Sequence, residues 1–157
     1  MGLFYAIDLE DPPAPRPMAD VIAGAVAGRS DHAAGSVAAL GCEFDIRRRV
    51  DSRYADMIEE ALGFRPATHV DIAIAKTLDE DFGPEIAGHD NAVRAALALF
   101  AAFAGDGALI FYGETPRLIK RRGRIYLCNP QGWTGERLAL VPEEIRREPL
   151  VLRPEGL

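Results

Sequence analysis

The chain has few of the features by which a sequence identifies a metalloprotein or a membrane protein. Its 157 residues include only two cysteines, Cys42 and Cys128, and these form neither a metal-ligand spacing nor a disulfide framework. We therefore expect a reducing compartment, with the cytoplasm as the location. No apolar run approaches the roughly 20 residues of a membrane-spanning helix, and no basic segment leading into an apolar one opens the sequence. The sequence thus predicts no association with a membrane.

Basic charge is also scarce. Lysine and arginine together number 18 against 24 acidic residues, which gives a formal net charge of -6. Non-specific binding to nucleic acid requires basic side chains that displace counterions from phosphates, so we expect no nucleic-acid partner. An acidic molecule is better suited to a basic protein partner.

Motifs that hold cofactors or metals are missing as well. The glycines at 105, 107 and 113 match neither the phosphate-binding loop nor the dinucleotide-binding pattern. The spacing of Asp79, Asp81 and Gly83 departs from the ligand order of an EF-hand calcium loop. We therefore predict no cofactor, no metal site and no catalytic residue.

The most informative stretch runs from Asp90 to Cys128. Its first part repeats apolar residues at three- and four-residue spacing, which predicts a helix that ends at Gly105. Three strands are predicted to follow, at 108–112, 117–121 and 124–128, and the first is apolar throughout, as expected for a central strand buried on both faces. This stretch should form the centre of the fold.

The rest of the chain supplies further strands and helices. Alternating or apolar patterns predict strands at 3–9, 42–50 and 68–76, and helical periodicity predicts helices at 17–28 and 52–63, the second capped by Ser52. Residues 29–41 are predicted to form a loop with a short turn of helix, and residues 78–89 an acidic loop. Together these elements predict one α+β domain over residues 1–157, with an antiparallel-rich sheet of five or six strands and two or three helices packed on one face.

His69 and Asp71 are the best candidates for chemistry by spacing alone. They lie two residues apart on a predicted strand, so their side chains share a face, and the neighbouring alanines leave room for a small ligand. One histidine and one aspartate make neither a metal site nor a catalytic triad. The solvent face of a half-buried strand is therefore the favoured interpretation, and a ligand pocket is the alternative.

The order of elements resembles that of a known family. A short strand at 3–9, a strand from Val70 to Lys76, a helix, and a hairpin formed by 108–114 and 121–127 resemble immunity proteins of the myxobacterial swarm-inhibition (Sit) toxin systems, third class. The resemblance is best from about Val70 to Leu140 and includes Trp133 after the last hairpin strand. It implies a small cytoplasmic protein of a polymorphic-toxin system, which binds and blocks a cognate toxin without turnover and without a cofactor.

This resemblance gives a hypothesis for the partner surface. The acidic loop offers Asp79, Glu80, Asp81 and Glu85 to a basic toxin such as a nuclease, with His69 and Asp71 as a second choice. Two alternatives stay open. One is a small ligand-binding domain or enzyme that uses His69 and Asp71, and the other is an adaptor that pairs through an edge at 150–152.

Overall fold

One antiparallel sheet organises the computed structural model, which describes residues 3–11, 14–76 and 82–150. Its eight strands are β1 (Phe4–Leu9), β2 (Arg29–Asp31), β3 (Ser36–Ala39), β4 (Cys42–Arg47), β5 (Thr68–Ile74), β6 (Gly107–Phe111), β7 (Thr115–Arg121) and β8 (Arg124–Leu127). Their spatial order is β2-β3-β4-β5-β1-β6-β7-β8. The predicted α+β class is confirmed, although the described sheet has more strands than the five or six expected.

Five helices accompany the sheet in these ranges. They are α1 (Pro15–Val26), α2 (Ser52–Leu62), α3 (Gly83–Ala102), α4 (Gly135–Leu138) and α5 (Glu143–Arg146), with a 3-10 turn at Pro130–Gly132. The long helices pack on both faces of the sheet. α1 and α3 cover the face that carries Ile7 and Leu109, whereas α2 covers the opposite face with Ile58 and Leu62.

The prediction that the helices pack on one face is therefore wrong for α2. Strands β6 and β7 present apolar side chains on both faces, with Leu109 and Leu118 on one and Ile110 and Ile119 on the other. A strand that is apolar on both faces must be covered twice to be removed from water. The α2 helix supplies this second cover.

Two segments fold differently from the sequence prediction. Residues 29–41, predicted as a loop, contain the hairpin of β2 and β3 at the edge of the sheet. Helix α3 begins at Gly83, within the segment predicted as an acidic loop, and has a proline in its first turn, where no backbone donor is needed. Residues 77–81 of that predicted loop lie outside the described residues.

Polar side chains fix the ends of two helices. Asp51, rather than the predicted Ser52, caps α2, because its Oδ1 accepts hydrogen bonds from the backbone N–H groups of Arg53 and Tyr54. At the end of α3, the buried Lys120 Nζ donates to the carbonyl oxygens of Phe100 and Phe103 at 2.8 and 2.7 Å. The ammonium group thus satisfies carbonyls that a helix end leaves without partners.

The last described residues pack along β8. Leu150 forms an isolated parallel bridge with Cys128, which places it where an edge strand was predicted. Val151 and Leu152, the other residues of the predicted adaptor edge, lie outside the described residues.

Candidate functional site

An open cleft of about 330 Å³ lies on the α2 face of the sheet, beside the N-terminal turn of α2. Phe4 and Ala6 from β1, Arg47 from β4 and His69 and Asp71 from β5 line it. Because β1 and β4 flank β5 in the sheet, side chains that point to the same face of these three strands come together here.

The inner wall of the cleft is a hydrogen-bonded cluster around Asp8. This carboxylate is fully buried, in the middle of an otherwise apolar strand. Its Oδ2 accepts a 2.6 Å hydrogen bond from the Tyr54 hydroxyl, and its Oδ1 lies 2.7 Å from Nδ1 of His69. A buried carboxylate is tolerated when each oxygen has a partner, and both oxygens of Asp8 do.

The cluster continues outward from His69 to the protein surface. His69 Nε2 lies 2.8 Å from Oδ1 of Asp71, and Oδ2 of Asp71 lies 2.8 Å from Nε of Arg47. The same Arg47 nitrogen is 3.3 Å from Asp45, which sits directly opposite Asp71 in the pairing of β4 with β5. Two like charges opposite each other repel, and Arg47 offsets this repulsion by contacting both.

His69 is held between two carboxylates, and this decides its charge. Burial lowers the pKa of His69, but hydrogen bonds and charge interactions with Asp8 and Asp71 raise it by more, so that the pKa lies above its usual 6.5. Each ring nitrogen faces a carboxylate oxygen, which requires an N–H at both positions. His69 is therefore favoured as an imidazolium.

In this arrangement His69 can serve neither as a base nor as a metal ligand. An imidazolium has no lone pair with which to accept a proton or to bind a metal ion. Burial, reinforced by the negative charge of Asp8 and the hydrogen bond to it, raises the pKa of Tyr54 far above 10, so the phenol stays protonated. The cluster is consequently suited to holding β1, β4, β5 and α2 together.

The predicted partner-binding residues are separated in the structure. His69 and Asp71 project from the α2 face, whereas Glu85 lies in the first turn of α3 on the other face. The Glu85 Oε1 is 3.9 Å from Nε2 of His89. Asp79, Glu80 and Asp81 lie outside the described residues. Among the described candidates, Glu85 therefore does not share a surface with His69 and Asp71.

Sequence reasoning found the outer part of the cluster and missed its centre. Asp8 falls within the predicted strand at 3–9 and Tyr54 within the predicted helix at 52–63, and neither pattern by itself indicates a buried polar contact. The available signal was an acidic residue inside a strand that is apolar on both faces, because such a charge requires buried partners. Tyr54 is a natural partner, since a tyrosine combines an apolar ring with a polar end.

Other parts of the described chain offer no metal or membrane site. No group of three or more His, Cys, Asp or Glu side chains in residues 3–11, 14–76 and 82–150 is arranged to hold a metal ion. Within the same ranges, no helix is long and apolar enough to cross a membrane. Burial raises the pKa of the Cys42 thiol to about 11 and that of Cys128 to about 12, which keeps both thiols protonated and unreactive.

Comparison with known proteins identifies the family. No curated protein and no solved structure gives a match to the chain. The model of the family described as SitI3-like matches residues 3–137, which include strands β1 to β8, helices α1 to α3 and the Asp8 cluster. The match begins well before the region near Val70 from which the resemblance was best in sequence. The chain therefore belongs to the SitI3-like family.

Proposed function

We propose that this protein is a cytoplasmic immunity protein that binds a cognate bacterial toxin and neutralises it without catalysis. The family match over residues 3–137 carries the proposal, since the resemblance to swarm-inhibition immunity proteins implies this activity. Such proteins act by occupying the active site or substrate surface of the toxin. The function then depends on a stable surface of the right shape and charge rather than on a reactive group.

The Asp8 cluster is consistent with a binding protein. Its polar groups satisfy one another, from the Tyr54 hydroxyl through Asp8 and His69 to Asp71 and Arg47. A catalytic site would instead present a base or nucleophile with a free lone pair to a substrate. The cluster joins β1, β4, β5 and α2, and a rigid scaffold of this kind lets a binding surface elsewhere on the protein lose less entropy on binding.

Charge supports a basic toxin, such as a nuclease, as the partner. The formal net charge of the chain is -6, and opposite charges accelerate diffusional encounter between proteins. Asp79, Glu80, Asp81 and Glu85 place four acidic residues within seven positions, with no basic residue between them. We assign this segment to the toxin surface, and His69 with Asp71 to a secondary contact at most.

Reversing the charge of this segment should slow association with the toxin. For the double variant Asp79→Lys and Asp81→Lys we expect an on-rate lowered by about tenfold or more at low salt, with a smaller effect at high salt, because steering is electrostatic. The measurement is the association rate with the purified toxin by surface-based kinetics. The double substitution removes two negative charges and adds two positive ones, so the net charge rises by four units, and the control must carry the same change.

The matched control carries the same change in charge at another place. Glu143 and Glu144 are exposed in α5, which packs on β8 at the far edge of the sheet. The double variant Glu143→Lys and Glu144→Lys should slow association clearly less. Equal on-rates for the two double variants would remove the acidic segment from the toxin surface.

A further inference from the structure

Three residues with exposed apolar side chains lie near one another at one corner of the protein. Among the described residues, four large apolar side chains are exposed, namely Leu40, Phe82 and Ile86, at 68, 59 and 48%, and Phe4, at 43%. Leu40 lies in the turn between β3 and β4, and Phe82 and Ile86 lie at the start of α3. We call Leu40, Phe82 and Ile86 the apolar corner; Phe4 lies elsewhere, in the cleft on the α2 face.

Backbone contacts bring these three residues together. The N–H of Ile86 donates to the carbonyl of Phe82 at 3.0 Å, so the two side chains are neighbours one helical turn apart. The β3–β4 turn is pressed against the same helix, because a Cβ atom built on Gly41 would lie only 1.8 Å from the carbonyl oxygen of Pro84. Leu40, next to Gly41 in the chain, is thereby held beside the first turns of α3.

The corner is held rigidly by polar groups below it. The buried side chain of Asn91 donates from Nδ2 to the carbonyl of Leu40 at 3.0 Å, and Arg94 donates to Oδ1 of Asn91 at 3.0 Å. The carbonyl of Gly41 accepts a 2.8 Å hydrogen bond from the N–H of Ala75. Leu40 is therefore presented on a fixed backbone although its side chain is largely in water. Such exposure costs hydrophobic free energy that a partner can recover.

Acidic residues adjoin the apolar corner in the sequence. Residues 79–90 contain five acidic residues, Asp79, Glu80, Asp81, Glu85 and Asp90, and neither lysine nor arginine. Phe82 directly follows Asp81 and Ile86 directly follows Glu85 in the chain, whereas Asp90 is paired with Arg137 at 3.0 Å. Apolar anchors with a polar rim are typical of a protein interface. The complementary surface has an apolar patch bordered by lysine or arginine.

We propose that the apolar corner is the anchor of the toxin interface, and that it packs against an apolar patch of the toxin bordered by basic side chains. The inference rests on the proposed function and adds to it the residues that provide most of the affinity. The acidic residues then govern the rate of association, whereas Leu40, Phe82 and Ile86 govern the rate of dissociation.

Alanine substitution at the corner tests whether Leu40, Phe82 and Ile86 govern the rate of dissociation. The probe is the purified product of the neighbouring gene, and the ligands are the full-length wild type and the variants Leu40→Ala, Phe82→Ala and Ile86→Ala. We expect at least one variant to weaken binding by about 10- to 30-fold, mainly through faster dissociation. Tyr126→Ala is the matched control, since it removes a half-buried aromatic ring on β8, at the opposite edge of the sheet from the β3–β4 turn, and should change affinity by less than about twofold. Melting temperatures check that each variant is folded.

Three other outcomes would contradict the proposed anchor, and they differ in what they imply for the immunity function. If all three corner variants bind the toxin within about twofold of the wild type, the apolar corner is not the anchor of the interface. The proposed immunity function would be unaffected by that result. No binding of the wild type would overturn the proposed function, and this inference with it. A wild-type dimer that dissociates in the corner variants would assign the corner to a second copy of the chain, and would equally contradict a toxin contact.

Discussion

Replacing Asp8 by alanine should lower the free energy of unfolding by about 3–5 kcal/mol, because removal of one partner leaves a buried charge without compensation. The Tyr54 hydroxyl and Nδ1 of His69 both contact this carboxylate, at 2.6 and 2.7 Å, and both would lose their partner. Asp8 itself has no exposed surface, so water cannot easily replace it. Chemical denaturation at neutral pH measures the effect.

Two further variants establish that the buried position is responsible. Asp8→Asn should be less damaging than Asp8→Ala, since the amide oxygen can still accept from His69 and the Tyr54 hydroxyl can turn to accept from the amide nitrogen. Asp56→Ala also removes an aspartate, but one that forms an exposed ion pair with Arg65 on the surface of α2. This variant should leave the denaturation midpoint nearly unchanged. A midpoint for Asp8→Ala as high as that of Asp56→Ala would refute a stabilising role for the cluster.

The pH dependence of the Asp8→Asn effect gives an independent readout. The pKa of His69 is raised in the folded protein, so the stability that it contributes is fully present below about 6.5 and is lost as the pH rises through the folded pKa. Loss of the Asp8 charge reduces this contribution. The difference in unfolding free energy between wild type and Asp8→Asn should therefore be largest near pH 6 and should decrease as the pH rises through the folded pKa of His69. A difference that stays constant while NMR shows His69 losing its proton would mean that the charge interaction between Asp8 and His69 does not contribute to stability.

The second large effect is expected at Gly88, where a single methyl group has no space. A Cβ atom at this position would lie 2.1 Å from the carbonyl oxygen of Gly41, and backbone atoms cannot move aside as a flexible side chain can. Gly88→Ala should lower the free energy of unfolding by about 3 kcal/mol, at the upper end of overpacking effects. It should also displace Leu40, and so weaken toxin binding.

Gly24 provides the matched control for Gly88. It lies in α1 with no atom within 4 Å of the position of an added Cβ, so Gly24→Ala gains helix propensity without a collision. This variant should be more stable than wild type by about 0.5–1 kcal/mol. Thermal or chemical denaturation of the two variants should thus give changes of opposite sign. A stabilised Gly88→Ala variant would contradict the close approach of α3 to the β3–β4 turn.

The strands and helices that the sequence predicts well are those in which apolar residues recur at regular spacing without interruption. Strands β1, β5 and β6 and helix α2 appear within a few residues of their predicted limits, because each has a long apolar alternation or stripe. The β2–β3 hairpin was missed since its strands have only three and four residues and include few large apolar side chains. Such strands owe their conformation to pairing at the edge of an existing sheet, which a local pattern cannot show.

The start of α3 was missed for a related reason. Gly83, Pro84 and Gly88 are usually signs of a loop, and the neighbouring acidic residues strengthened that interpretation. Here Pro84 occupies the first turn, where proline is compatible with a helix, and Gly88 is required by the contact with Gly41. Only the tertiary structure explains this glycine.

The candidate site was predicted in part. Side chains two residues apart on a strand share a face, and this placed His69 next to Asp71 correctly. The contribution of Asp8 depends on which strand lies beside β5, and the sequence does not determine the strand order. The sequence distance of 61 residues between Asp8 and His69 is closed only by the pairing of β1 with β5.

The central claim is most directly tested by survival. The protein encoded by the neighbouring gene is expressed in a host that it kills, with and without this chain, and viable cells are counted. We expect full rescue by the wild type together with a stable complex of the two proteins. Death of the host despite abundant, folded wild-type protein, or a neighbouring protein that is harmless when expressed alone, would contradict it.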